Sequence, residues 1–254
     1  MPPINRPFPR FVADPPQEGS PYGRWAERLA AEFSRACAEH ADEAGAQLDE
    51  ESVKWFPERA WGGRVYLPAT GRASEPTTGE DGESAVVEFF GWVSFERSDE
   101  GEPRALRAKA DFTDVTAADN PDWQIDLNDA VIGSWHAGGD RGGDITLVWG
   151  LPLVRGAAAA TAELDGQVVD QAAVAEGRFT LVAVDAVHGF VDDLYLEVKL
   201  WDRRLREVAT ESLYEEPDEE EEPEGEEEPD GEEEPDGEEE PDGEEEPDGR
   251  GGSG

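Results

Sequence analysis

Residues 85–113 decide how this chain folds: AVVEFFGWVSFE at Ala85–Glu96, the link SDEGEP at Ser98–Pro103, and RALRAKADFT at Arg104–Thr113. The first run is dense in β-branched and aromatic residues, which suit a pleated, half-buried surface. The second alternates, with Leu106, Ala108, Ala110 and Phe112 on one face and Arg107, Lys109, Asp111 and Thr113 on the other. The link is rich in turn formers. Together they predict an antiparallel hairpin with one solvated face.

A second hairpin follows the same logic near the end of the apolar part of the chain. In Asp193–Trp201, Leu194, Leu196, Val198 and Leu200 oppose Tyr195, Glu197, Lys199 and Trp201, and Asp202–Leu205 turns into Arg206–Leu213. Further strands are predicted at Gly63–Leu67, Ala130–Trp135, Asp144–Gly150, Ala157–Leu164 and Arg178–Asp185. By propensity alone Ala157–Glu176 suits a weak helix nearly as well, but Gly166 and the pair Val168-Val169 oppose it.

One helix is well signalled ahead of the strands. Ser20 suits its cap, Pro21 its first turn and Gly45 its end. Trp25, Leu29, Phe33 and Cys37 recur every four residues, flanked by Ala26, Ala30 and Ala36, while Arg28, Glu32, Arg35, Glu39, Asp42 and Glu43 form the wet side. The expected fold is mainly β, or α+β: an antiparallel β-sandwich or curved sheet of about nine strands with this helix packed on it.

Composition divides the chain. From Glu215 to Gly254 there is no apolar side chain, and EEEPDG repeats in tandem from Glu226 to Gly249. Nothing there can offset the entropy of ordering, so a disordered acidic tail is expected at 215–254. Residues 1–22 hold seven prolines and read as an extended arm, in which Phe8, Phe11 and Val12 suit a groove on the body or on a neighbouring subunit. A single globular β-rich domain is expected between, at 23–214.

The chain of 254 residues carries 63 Asp and Glu against 21 Lys and Arg, a net charge of −42. The tail supplies 24 of those acids, which leaves the rest of the chain acidic as well. Such a balance excludes nucleic-acid binding through a general basic field and disfavours anionic membranes. Only Lys54, Lys109 and Lys199 are lysines; high-salt (halophilic) adaptation and GC-rich coding both produce this composition. Cys37 is the sole cysteine, so no intramolecular disulfide forms, and no apolar run suits a signal-peptide core or a membrane span. A soluble, cytoplasmic protein is expected.

Four constellations carry candidate chemistry. The Gly-rich segment Gly133–Asp144 places Ser134, His136 and Asp140 close in sequence, the residue types of a nucleophile–base–orienter relay, although G-x-S-x-G is absent. His188, with Asp185, Asp192 and Asp193 nearby, suits a divalent metal if His136 joins it. Asp119, Asp122, Asp126 and Asp129 form an oxygen-rich patch suited to calcium, without the EF-hand spacing; Asx-turn hydrogen bonds account for the same residues. Cys37 and His40 lack two further ligands of their kind for zinc. Eight tryptophans include Trp92 and Trp201 on polar strand registers, placed to stack on a ligand or partner.

With no complete catalytic motif, the leading expectation is a non-catalytic binding or assembly protein. It would form homo-oligomers, with a solubilising polyanionic tail that attracts cations or a basic protein partner. The alternative is a small-ligand carrier or hydrolase-type enzyme whose pocket lies between helix and sheet, with His136 or His188 as acid/base.

Overall fold

Gly62 and Gly63 both sit at positive φ, 56° and 79°, the pair of conformations that a two-residue type I′ hairpin loop requires. They set the first register of a computed structural model that describes residues 23–78, 84–98, 102–137, 141–164, 166–184 and 196–213. These residues belong to the first of two units into which the chain divides, Met1–Glu215 and Glu216–Gly254. The proposed arm and tail lie outside the described residues, as do Ser20 and Pro21.

The glycine turn joins β2 (Arg59–Trp61) to β3 (Arg64–Arg72), and β1 (Lys54–Trp55) continues the same edge along β3. The short pair β4 (Thr77–Thr78) and β5 (Ser84–Ala85) precedes β6 (Glu88–Arg97) and β7 (Pro103–Thr113), which are the expected hairpin. β3, β6 and β7 make an antiparallel meander. Helix α1 (Ala26–Ala38) lays Leu29, Phe33, Ala36 and Cys37 on it, against Val65, Leu67, Ala69, Phe89, Val93 and Phe95. A single further turn, α2 (Ala41–Ala44), ends at Gly45, whose φ of 63° is the left-handed cap glycine accepts without strain.

The rest of the chain forms β8 (Ile125–Ala137), β9 (Arg141–Pro152), β10 (Ala157–Leu164), β11 (Gln167–Ala173), β12 (Phe179–Val184), β13 (Leu196–Asp202) and β14 (Glu207–Ser212). One sheet has the order β12-β9-β8 and the other β11-β10-β13-β14. The first of these is covered on both sides. Ile145, Leu147 and Trp149 of β9 and Val182 of β12 pack with Phe56 and Tyr66 of the meander side. Val148 and the β12 residues Phe179, Leu181 and Ala183 pack with Ala160, Ala162, Leu196, Val198 and Leu200. The order of layers is therefore helix, meander, central sheet, outer sheet.

Polar ties cross these layers. The Arg59 guanidinium pairs with the Asp170 carboxylate and donates to the Gln171 carbonyl at 2.8 Å, and Asp170 also accepts the Val182 N–H at 2.8 Å. Arg178 donates to the Trp55 carbonyl at 2.7 Å. Part-buried, charge-assisted bonds of this kind are stronger than exposed ion pairs.

A mainly β fold with an N-terminal helix and antiparallel sheets agrees with expectation; the strand inventory does not. Fourteen strand segments are present among the described residues, in four sheets, not about nine in a two-sheet sandwich or one curved sheet. β1, β2, β4 and β5 are too short to carry an alternation. The weak-helix alternative at Ala157–Glu176 is a β10–β11 hairpin turned at Gly166, φ 68°. β8 starts at Ile125 rather than Ala130, because Ile125 and Leu127 alternate inward with polar residues between them. Among the described residues no helix is long and apolar enough to cross a membrane.

Gly91 tests the meander. A Cβ there would lie 2.2 Å from the Lys109 carbonyl oxygen and 2.7 Å from the Ala110 Cα, whereas at Gly133 the nearest neighbour is a flexible Ile145 methyl at 3.7 Å. Gly91→Ala must push two strands apart and is expected to cost about 3 kcal/mol, against less than about 1 kcal/mol for Gly133→Ala. Urea denaturation measures both; similar losses would contradict the β6–β7 approach.

Candidate functional site

Glu88 is the only charged residue between Ala85 and Phe95. Strand alternation explains where it goes. Phe89, Val93 and Phe95 enter the core under α1, so Glu88, Phe90, Trp92 and Ser94 face the central sheet. On β8 the same rule operates from the other side: Ile125 and Leu127 pack toward the outer sheet, which turns Asp126 and Asn128 toward the meander. Two carboxylates from two different sheets thus meet at one end of the stack.

They line a pocket of about 200 Å³, with Phe90, Thr113, Val115 and Thr116 on the β6–β7 side and Trp123 and the Asp126–Asp129 run on the other. Burial pushes the Glu88 carboxyl above the usual carboxylate range, and the neighbouring Asp126 charge pushes it further; Lys54, Arg72 and a hydrogen bond from Thr70 pull the other way. Burial likewise raises Asp126, opposed by Lys54. Next to Asn128 in its cross-strand row stand Trp149 and then Thr180. The indole N–H and the hydroxyl of these two residues are buried without a partner, so the polar row continues inward from the pocket.

The wall between β7 and β8 is preformed by local hydrogen bonds. The Thr113 hydroxyl accepts the Val115 N–H at 3.0 Å, the Thr116 hydroxyl donates to the Asp119 carboxylate at 2.8 Å, and the Asn120 side chain donates to the Thr116 carbonyl at 2.9 Å. Trp123 N–H donates to the Asn120 carbonyl at 3.1 Å. The Thr113 bond is an ST-turn, whereas Asp119 accepts from a hydroxyl and Asn120 donates through its amide, rather than in the Asx-turn pattern expected of the segment.

The four calcium candidates are consequently divided. Asp126 and Asp129 line the pocket, Asp119 is engaged with Thr116, and Asp122 is exposed on the turn. Among the described residues no group of three or more His, Cys, Asp and Glu side chains converges as a metal site would require. Ser134 is exposed on β8, paired in register with Asp144. The side chains of His136 and Asp140 lie outside the described residues, as do His188, Asp185, Asp192 and Asp193. Cys37 is buried in the helix core, its thiol pushed up to about 12 by burial, and is chemically inert there. The His40 ring lies 6.2 Å from Phe112.

Of the tryptophans singled out, Trp92 is half-buried with its ring 5.4 Å from Tyr66, and Trp201 donates its indole N–H to the Thr161 hydroxyl at 2.9 Å. Trp123 alone among the eight lines the pocket. Glu88 escaped the sequence reading, although a lone carboxylate inside an apolar strand is the signal that marks a buried charge. Comparison with protein-family models, with curated proteins and with solved structures finds no match.

The raised carboxyls make stability depend on pH in a defined sense. Both groups bind protons more tightly in the folded than in the unfolded chain, so folding gains stability as pH falls through the raised range and loses it as pH rises. Glu88→Gln and Asp126→Asn are expected to stabilise the fold at neutral pH by about 1 kcal/mol each, roughly 2–4 °C in melting temperature for a domain of this size. The gain should shrink toward the ordinary carboxylate range. Melting curves across pH check this; strong destabilisation by either variant at neutral pH would contradict the placement.

Proposed function

We propose that the globular part of the chain is a non-catalytic binding or assembly module whose recognition surface is the pocket between β6 and β8. The observation that carries this reading is the meeting of Glu88 and Asp126 in one small cavity. Like charges buried together oppose each other's ionisation and weaken a fold; a positively charged group between them reverses both penalties. Acid–base catalysis by two carboxylates works best when their environments push them apart. Here burial moves both upward, which favours binding.

A ligand carrier or hydrolase with its pocket between helix and sheet has less support. Leu29, Phe33, Ala36 and Cys37 fill that interface, none of them more than 3% exposed. Segment 215–254 keeps in this proposal the role of a polyanion that holds assemblies apart and attracts cations or a basic partner.

Binding is tested by titrating the ¹⁵N-labelled chain with a mixture of small amine and amidine fragments. Backbone signals of residues 86–90 and 113–129 are expected to shift in a saturable way, and the shifts are expected to vanish in the Glu88→Gln/Asp126→Asn chain. Shifts confined to other surfaces, or none, would overturn the reading.

A further inference from the structure

The pocket carries an apolar rim. Among the described residues, Val86, Val115 and Leu153 are 44%, 54% and 44% exposed. All three lie at the pocket end. Glu88 pairs with Thr113, the last rung of β6 and β7, so Val86 and Val115 stand two residues beyond it, just past the strand ends. Leu153 N–H donates to the Gln124 carbonyl at 2.9 Å, beside Trp123. Exposed apolar side chains grouped around a pocket mark a docking surface. The cavity of about 200 Å³ is smaller than the roughly 300–1,000 Å³ of sites for drug-sized molecules, and suits one long side chain. Arginine matches its walls: a guanidinium stacks on aromatic faces such as Trp123 and Phe90 and has donors enough for two carboxylates.

The chain itself contains a segment of that chemistry. Residues 8–12 read Phe-Pro-Arg-Phe-Val, one arginine set among aromatic and β-branched neighbours. Resting on the binding reading above, we infer that Arg10 of a second copy enters the pocket between Glu88 and Asp126, while Phe11 and Val12 cover Val86, Val115 and Leu153.

Reach favours a second copy over the same chain. Arg28, near the start of α1, lies 3.6 Å from Glu102 at the β6–β7 connection. His40, just past the end of α1, approaches Phe112, next to the pocket residue Thr113. Residue 23 therefore sits at the end of the meander away from the pocket. The strand between Pro103 and Thr113 spans about 33 Å, and the thirteen steps from residue 23 back to Arg10, extended as proline-rich chain, reach about 40 Å. The arm of the same chain would have to dock taut to round the sheet edge into the pocket. The arm of a second copy has no such limit.

Sedimentation of the full chain over a concentration series tests this, in salt sufficient to screen its net charge. The unmodified chain is expected to self-associate, and Arg10→Gln and the Glu88→Gln/Asp126→Asn pair each to weaken association at least tenfold. Mixing the two variants should restore a one-to-one complex, since one supplies a competent arm and the other a competent pocket. A chain that stays monomeric throughout, or a mixture that fails to associate, overturns the inference. If the chain stays monomeric while a peptide of residues 5–14 binds Arg10→Gln more tightly than the unmodified chain, the arm docks on its own chain; the second-copy claim fails and the pocket reading stands. Absence of fragment shifts at the pocket removes that reading itself. Arg10 lies outside the described core, so its substitution is read without a folding ambiguity.

Discussion

On β9, alternate side chains enter two different cores. Ile145, Leu147 and Trp149 pack beneath Phe56 and Tyr66, while Val148 packs against Phe179, Leu181 and the apolar face of β10 and β13. A strand buried on both faces cannot be lost from one layer without opening the other. Each large side chain there contributes on the order of several kcal/mol, a sizeable share of the stability of an ordinary domain. Thr146 and Thr180 show what such burial costs: their hydroxyls are enclosed with no hydrogen-bond partner. The Arg59–Asp170 and Arg178–Trp55 ties add direction, fixing how the meander lies over the central sheet.

That stacking is also what makes the pocket. Glu88 belongs to the meander and Asp126 to the central sheet, so neither carboxylate has its environment until the layers close. The short bonds through Thr113, Thr116, Asp119 and Asn120 then hold the connecting wall in one shape. The burden falls on the carboxylates, which are kept near each other and buried at a cost in stability.

The sequence told unevenly of all this. The Leu29–Phe33–Cys37 stripe and the alternation in Arg104–Thr113 were legible because each pattern is set by its own element. β11 was hidden in an alanine-rich stretch whose weak propensity gives no period. The first residues of β8 read as part of an oxygen-rich patch, since Asp and Asn are poor strand formers and only the partner sheet reveals why they face inward. Two of the four acids of the patch at residues 119–129, Asp126 and Asp129, line the pocket. Glu88 is a lone carboxylate in an apolar strand, a signal that went unread, and its neighbour Asp126 is thirty-eight positions away, so pairing across two sheets leaves no local trace.

Native-state hydrogen exchange on the Leu147→Ala chain tests most directly the claim that β9 joins the two cores. Leu147 is fully buried on the meander side, and its truncation should cost about 2–5 kcal/mol. If β9 couples the layers, the slowest amides of β3 and of β13 lose protection together and by the same amount. Loss of protection in β3 with β13 unchanged would show two independent cores and contradict the account.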